Sequence, residues 1–565
     1  ADLAAMEELS RPFLPLMAYF GWLPKIGGDV QAAPHLLALA RHSIDAVQSL
    51  SEASMPLVEQ VNQSEAGIDR LAPEAVRILV DARPQLKAAT DSLDRAAASR
   101  EEIELGLLSP ETAALLRRFD RYLPPLKDAV ATASVLPELL GADGIRSYLL
   151  LAQNNQELRA TGGFISGVGF LQLETGHIAG LSFQDSYTVD DLTQPHPPAP
   201  APLRRLMKAG MLVLRDANWW PDFPTSARTI AELYNQDQGK EVDGVIAVDL
   251  TTLRLLLQAT GPVTVPGYDE PVTSENLQQM MMAYWQAPRA SAPGKEGTDW
   301  WLHRKDFAAD LLSALLLHLM QRATLADLAS VARNIGEALD EGHMLIYVQE
   351  PGAQAAISAM AWAGALKPYH GDYLMVVDSN VGFNKVNPNI EQTIDYLVTL
   401  EGTRSMATLT LGYRHLVEKP MPACVHESRY GDSYQDLLER CYWDYLRVYI
   451  PAGSELMKVQ GADGAVQVYE ESGRTVIATS FLLETGQARQ IQIIYRPNLA
   501  SAGSPYALLV QKQPGAGAVP LRVRVDLADI AGPTAASPPG GAWIDGVAVW
   551  QSWLSSDQEF SVAWE

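Results

Sequence analysis

Four stretches near the start of the chain, His35–Ser49, Pro56–Gln63, Pro73–Ala98 and Pro110–Arg121, place apolar residues at i, i+3 and i+4. That period lays one apolar stripe along a helix, so residues 1–147 are expected to form a helical bundle or long hairpin acting as a stalk or assembly surface. Pro73, Pro110, Pro124 and Pro125 are expected at helix starts or in loops, because proline lacks the N–H that a helix interior uses. The pattern changes at Tyr148. Tyr148–Ala152 is an unbroken apolar run that reads as a buried strand, and QNNQELRATGG is a polar, glycine-bearing knot. Phe164–Leu173 and His177–Phe183 are β-rich runs joined by Glu174-Thr175-Gly176, a turn of hairpin type.

Strand and helix patterns then alternate to residue 370. Helices are expected at Leu203–Leu214, Thr225–Asn235, Leu250–Ala259, from Ser274-Glu275, at Asp299–Gln321 and at Ala353–Gly364. Strands are expected at Asp243–Asp249, around Val263–Val265 and at Met344–Gln349, with loops at Pro195–Pro202 and Ala287–Gly297. Such alternation implies an α/β layer sandwich over 148–370. From 371 to 565 the runs are strand-like, from Tyr373–Asn380 to Leu521–Leu527, which indicates a β-sandwich with a helical insert at Tyr434–Cys441 and a closing edge strand at Asp557–Glu565. The expected fold class is multidomain α+β: helical bundle, central α/β layer sandwich, C-terminal β-sandwich.

A chain of 565 residues exceeds one core, in keeping with about three domains, and 47% apolar residues are typical of packed globular protein. The net charge of -24 leaves no basic field to collect phosphates, which excludes nucleic acid as a partner and argues against adhesion to anionic lipid. No apolar run reaches membrane-spanning length and no signal peptide is present. The first residue is Ala1, which reads as a processed or truncated chain with an anchor or signal upstream. Cys424 and Cys441 are the two cysteines, an isolated pair that suits one disulfide in an oxidising compartment, although two reduced core thiols would share the spacing.

Glu157, Arg159 and Gly162-Gly163 follow the Tyr148–Ala152 run, where open α/β sheets hold ligands, but an Arg–Glu pair and two turn glycines account for them as well. Asp222 suits a helix N-cap better than a cation ligand, and Asp378-Ser379-Asn380 with Lys385 suits a boundary turn better than a sugar-contacting loop. Ser166 has no His and Asp at interpretable spacing, and His177, His196 and His303 are scattered and read as surface or loop residues. The glycines of 162–169 open no helix, so they form no dinucleotide fingerprint.

QNNQELRATGGF with its hairpin, then NWWPDFPTSA, DGVIAVD and TGPVTV, resembles a bacterial domain family of unknown function, number 4012. More distantly, Arg159–Tyr187 and DGVIAVDLTTLRLLLQATGPVTVP resemble the LytR–CpsA–Psr phosphotransferases, which move glycopolymers from a polyprenyl-pyrophosphate carrier to the bacterial cell wall. The resemblance implies candidate ligand-binding residues Asn155, Glu157, Arg159, Thr161, Asp185, Asp222, Arg304 and Lys305. It also implies Mg²⁺ if the chain is catalytic. In that family an Arg-x-Asp triplet supplies an arginine and the metal ligand, and an Arg-Asp pair follows the hairpin. Here the triplet is Arg159-Ala160-Thr161 and the pair is Gln184-Asp185, so the metal-holding Asp and the second Arg are absent. The expected function is an extracytoplasmic cell-envelope protein on a degenerate phosphotransferase-like scaffold, non-catalytic, binding a glycan or polyprenyl glycolipid or assembling as a homo-oligomer at the cell surface. The alternatives are an active Mg²⁺-dependent glycopolymer phosphotransferase and a structural subunit of a surface layer or filament.

Overall fold

The computed structural model describes residues 17–63, 68–286, 306–322, 325–401, 404–419, 423–428, 432–499, 505–527 and 533–564. Four helices lead the chain: α1 Gly27–Gln63, α2 Ile68–Asp81, α3 Arg83–Glu101 and α4 Pro110–Leu139. Their apolar stripes meet in a shared core that includes Ala46, Ala53, Leu79, Leu86, Leu93 and Val130. The expectation that prolines mark helix boundaries holds for Pro110, which starts α4 after the Ser109 cap, and fails for the others. Pro34 and Pro56 lie inside α1, Pro73 inside α2, and Pro124, Pro125 and Pro137 inside α4. An interior proline costs on the order of 3 kcal/mol, which side-chain burial along a long helix offsets.

A five-stranded sheet follows, built from β1 Arg146–Arg159, β2 Gly162–Glu174, β3 His177–Asp185, β4 Gly244–Val248 and β5 Met344–Val348 in the order β3-β2-β1-β4-β5. β1 and β4 are parallel, and the other neighbours are antiparallel. Leu149 and Leu151 pack with Phe223, Ala227 and Ile230 of helix α5 (Phe223–Gln238). Tyr148 and Leu150 face the other way, toward Leu139 of α4 and Ile357. Burial on both faces is why this strand reads as a continuous apolar run.

The QNNQELR knot is a continuation of β1, with register shifts against β2 at 152/153 and at 154/158. Further helices are α6 Leu250–Thr260, α7 Leu277–Gln286, α8 Asp306–Arg322, α9 Leu325–Asp340 and α10 Pro351–Ala359. The sequence reading missed α9. The helix expected at Leu203–Leu214 is one short turn, Ala201–Leu206, and the strand expected near Val263 is a single bridge to Val272. The loop expected at Ala287–Gly297 and the first residues of the Asp299 helix lie outside the described residues.

The C-terminal part forms two seven-stranded sheets. One runs β10-β13-β8-β7-β15-β18-β17 and the other β11-β12-β9-β6-β14-β19-β16. The strands are β6 Asp372–Val377, β7 Ile390–Glu401, β8 Arg404–His415, β9 Tyr442–Pro451, β10 Glu455–Gln460, β11 Gln467–Glu471, β12 Arg474–Leu483, β13 Ala488–Arg496, β14 Tyr506–Gln511, β15 Val519–Asp526, β16 Pro533–Ser537, β17 Ala542–Ile544, β18 Val547–Leu554 and β19 Gln558–Trp564. The sequence reading did not anticipate β10, β11 or β16–β18. The closing strand β19 is no edge, because it pairs with β14 on one side and β16 on the other.

Side chains of both sheets form one hydrophobic cluster, from Leu374 and Val448 of one sheet to Tyr396 and Val523 of the other. Alternate residues of the β6 sheet, among them Tyr373, Met375, Tyr445 and Tyr449, pack instead on Ala160, Leu203 and Trp219 of the preceding part. The molecule is therefore mixed α/β, with helices first, a five-stranded sheet in the middle and two sheets at the end, one of them covered on both faces. The helical insert is one short helix, α11 Tyr434–Leu438, with a capping box between Ser433 and Asp436. Cys424 and Cys441 form a disulfide beside it, with Cα atoms 5.7 Å apart.

Candidate functional site

The parallel pair β1 and β4 ends at an open crevice, as α/β sheets generally do outside the carboxyl ends of their strands. Asp249, the residue after β4, caps α6 by accepting from Thr252 N at 3.0 Å through Oδ1. Its other oxygen accepts from His343 Nδ1 at 2.6 Å and from Asn155 Nδ2 at 3.0 Å. Asn155 also donates to the carbonyl of Gly515 at 3.2 Å, which joins β1 to a loop of the C-terminal sheets. Above this floor opens a cleft of about 670 Å³ between the five-stranded sheet and the C-terminal part. One wall holds Thr251 and Arg254 of α6 with Gln278 and Met281 of α7; the other holds Gln392 and Thr393 of β7, Pro520 of β15 and Trp553 of β18. Trp553 is 63% exposed.

Asp378 also lines the cleft, accepting from Tyr413 Oη at 2.8 Å and Gln392 Nε2 at 2.8 Å. Behind it Asp444 accepts from Tyr442 Oη at 2.9 Å. Burial pushes both carboxyls above the usual carboxylate range, and the charge of Asp378 raises the cost of ionising Asp444 further, while a hydrogen bond from Asp444 favours ionised Asp378. They hold the cleft floor to the sheet and do not present a free charge to a ligand.

Of the residues singled out from sequence, Asn155 and Asp378 line this cleft, and Glu157, Arg159, Thr161, Asp185, Asp222, Ser379, Asn380 and Lys385 do not. Glu157 and Arg159 form a buried ion pair at 2.9 Å, and Arg159 donates its second amino group to the carbonyl of Asn380. Lys385 Nζ stands 3.8 Å from the other Glu157 oxygen, so the pair ties β1 to the segment after β6. Thr161 is buried with its hydroxyl unpartnered among the described residues. Asp185 caps a single helical turn, accepting from Tyr187 N at 2.9 Å. Asp222 caps α5 through Thr225 N at 3.1 Å and accepts from Leu366 N at 3.1 Å. Arg304 and Lys305 lie outside the described residues.

The glycine pair has a steric origin. A Cβ on Gly163 would sit 2.1 Å from the Asn154 carbonyl carbon, and Gly162 has φ 127° with the Gly515 loop against it. Mg²⁺ does not fit the carboxylates among the candidate ligand residues: Asp185 and Asp222 each cap a helix, neither lines the cleft, and a threonine occupies the triplet position. The cleft residues Arg254, Gln278, Gln392 and Trp553 were missed. The signals that could have led to them are Asp249, an N-cap directly after a buried strand, and Asp378, which accepts from Gln392.

Residues 143–284 match the profile of the family described as "Protein of unknown function (DUF4012)", so this segment is a domain of that family. No curated protein matches the chain. Among solved structures, protein gbs0355 from Streptococcus agalactiae is 11% identical, with 39% of this chain and 73% of that one covered at a TM-score of 0.23. B. subtilis TagV is 11% identical over 39% of this chain and 81% of its own, at a TM-score of 0.21. The M1 zinc metallopeptidase from Deinococcus radiodurans is 12% identical over 31% of this chain and 42% of its own length, at a TM-score of 0.19. All three are likenesses over a minority of this chain.

Proposed function

We propose that this chain is a non-catalytic protein of the bacterial cell envelope, working outside the cytoplasm, whose cleft binds a neutral glycan or the sugar portion of a glycolipid. The observation that carries the reading is the cleft lining. Gln278 and Thr251 on one wall face the exposed Trp553 on the other, which also carries the amide of Gln392 and the hydroxyl of Thr393, and Arg254 is the one Lys or Arg lining the cleft among the described residues. Sugar hydroxyls need bidentate amide partners, and the apolar face of a pyranose needs an aromatic surface. A pyrophosphate needs several cations and a metal-holding carboxylate. The disulfide supports an oxidising compartment. No helix among the described residues is long and apolar enough to cross a membrane. The division into parts at 147/148 and 370/371 belongs to the same proposal, with the glycan held where the last two meet.

The test is calorimetric titration of the purified chain with neutral cell-wall oligosaccharides, and of Trp553→Ala alongside it. Saturable binding that weakens about tenfold in the variant, at unchanged melting temperature, is the expected result. Absence of saccharide binding would remove the reading, and so would Mg²⁺-dependent release of carrier from a polyprenyl-pyrophosphate glycan.

A further inference from the structure

A second group of side chains lies away from the cleft. His196 sits in the proline-rich loop after the hairpin, and its Nε2 is 3.0 Å from Asp237 Oδ2 in the last turn of α5. Asp190, from the turn that follows β3, completes the group: one ligand atom from each of the three lies within 4.8 Å of the others. All three side chains are shut off from solvent, at 0% for His196 and 1% for each aspartate.

His196 Nδ1 is 3.1 Å from the Gln194 carbonyl, which only accepts, so Nδ1 carries hydrogen. In a neutral ring Nε2 is then a lone pair, and it faces a carboxylate oxygen. A cation, a metal ion or a proton on Nε2, would satisfy both. The setting adds negative potential, since Asp237 lies at the carboxyl end of α5, where the last turn has no basic residue. Arg215 does not supply this cation, because it donates to Asp190 at 3.2 Å and lies over the Tyr187 ring.

We propose that Asp190, His196 and Asp237 form a binding site for a borderline transition-metal dication, Zn²⁺ being the type ion, which clamps the proline-rich loop to the end of α5. One imidazole with two carboxylates favours Zn²⁺, Co²⁺ or Mn²⁺ over Mg²⁺ and Ca²⁺, which take oxygen donors alone. The 3.0 Å His196–Asp237 separation is close to the ~3.3 Å between ligand atoms of a tetrahedral zinc site. A water would complete the shell. The loop is already aligned, for Gln236 Nε2 donates to Pro195 O at 3.4 Å and Gln238 Nε2 to Val189 O at 2.6 Å. The competing occupant of the gap is a proton on Nε2.

The experiment uses the untagged full chain, stripped with chelator and titrated with Zn²⁺ by calorimetry and with Co²⁺ by visible absorption. No thiol competes, since both cysteines are in the disulfide. The expected result is one ion per chain, a higher melting temperature with Zn²⁺ and a four-coordinate Co²⁺ spectrum. His196→Asn and Asp237→Asn should each weaken binding beyond the ~100-fold that loss of a supporting group costs, while His177→Asn, at an exposed hairpin position, leaves it unchanged. A wild-type chain that takes up no stoichiometric ion overturns the proposal without recourse to any variant. So does binding that survives in folded His196→Asn and Asp237→Asn proteins, which would leave the proton as the occupant.

Discussion

Lys512 is enclosed where the C-terminal sheets meet α9, and its ammonium donates to the carbonyls of Glu341 at 2.7 Å and Gln513 at 3.3 Å. Among the described residues no carboxylate bonds it directly, and burial pulls its pKa down to about 8. The unfolded chain holds this proton to near pH 10.4, so between about pH 8 and 10.4 it binds more protons than the folded one and stability rises with pH. The full contribution, on the order of 3 kcal/mol, is present above pH 10.4 and is lost as pH falls through 8. Lys512→Met should remove that rise. Urea unfolding of both proteins at pH 7.5 and pH 10 checks it, and parallel pH dependences in the two would reject it. The Glu157–Arg159 pair follows the opposite logic: with both charges matched inside the protein, deleting one would strand the other.

At the scale of elements, short polar devices hold the pieces that hydrophobic burial has positioned. Asp222 illustrates this, since one carboxylate starts α5 and also anchors the chain at Leu366. The Cys424–Cys441 disulfide closes a chain separation of 17 residues next to α11, joining a long connection to the start of β9. A loop of that size restricts the unfolded chain by about 3 kcal/mol in the entropic account. Replacing both cysteines with serine should lower the unfolding free energy by about that amount. Denaturant titration measures it, and an unchanged midpoint would show that the bond constrains nothing that unfolding releases.

For the whole molecule, the β6 sheet is the middle layer. One face joins the cluster it shares with the other seven-stranded sheet, and the opposite face receives Ala160, Leu203 and Trp219. Arg447 crosses this junction fully buried, donating to the Trp219 carbonyl at 2.9 Å with its guanidinium over the Trp219 ring. Gln513 bridges it too, donating to the carbonyls of Arg159 at 3.0 Å and Asp378 at 2.7 Å. Parts welded in this way should unfold together. Calorimetry of the intact chain should give one transition for residues 148–565, and a fragment beginning at 371 should expose Tyr373, Tyr445 and Tyr449 and aggregate. A fragment that is soluble and melts at the temperature of the intact chain would mean that the junction contributes little.

What could be read from sequence was what local pattern encodes. The run at Tyr148–Ala152 announced a strand buried on both faces; Thr175-Gly176 announced a hairpin turn, and both residues have positive φ. Asp222 announced a helix start, and the isolated cysteines suited the bond they form. Proline marked a helix start at Pro110 but misled at Pro73, Pro124 and Pro125, because a local preference of a few kcal/mol yields to the summed burial along α2 and α4. Of the site, Asn155 and Asp378 had been singled out, and the rest was not legible. Asn155, Arg254, Gln392 and Trp553 come from four elements spread over most of the chain, and no spacing relates them. Arg159 stood out in sequence as a ligand group, but Glu157 and the carbonyl of Asn380, brought to it by the packing of the two parts, consume its hydrogen bonds. Periodicity follows from the geometry of one backbone segment, so the sequence alone determines it. A cleft and the pairing state of a buried charge depend on which distant segments pack together, and only the tertiary structure decides that.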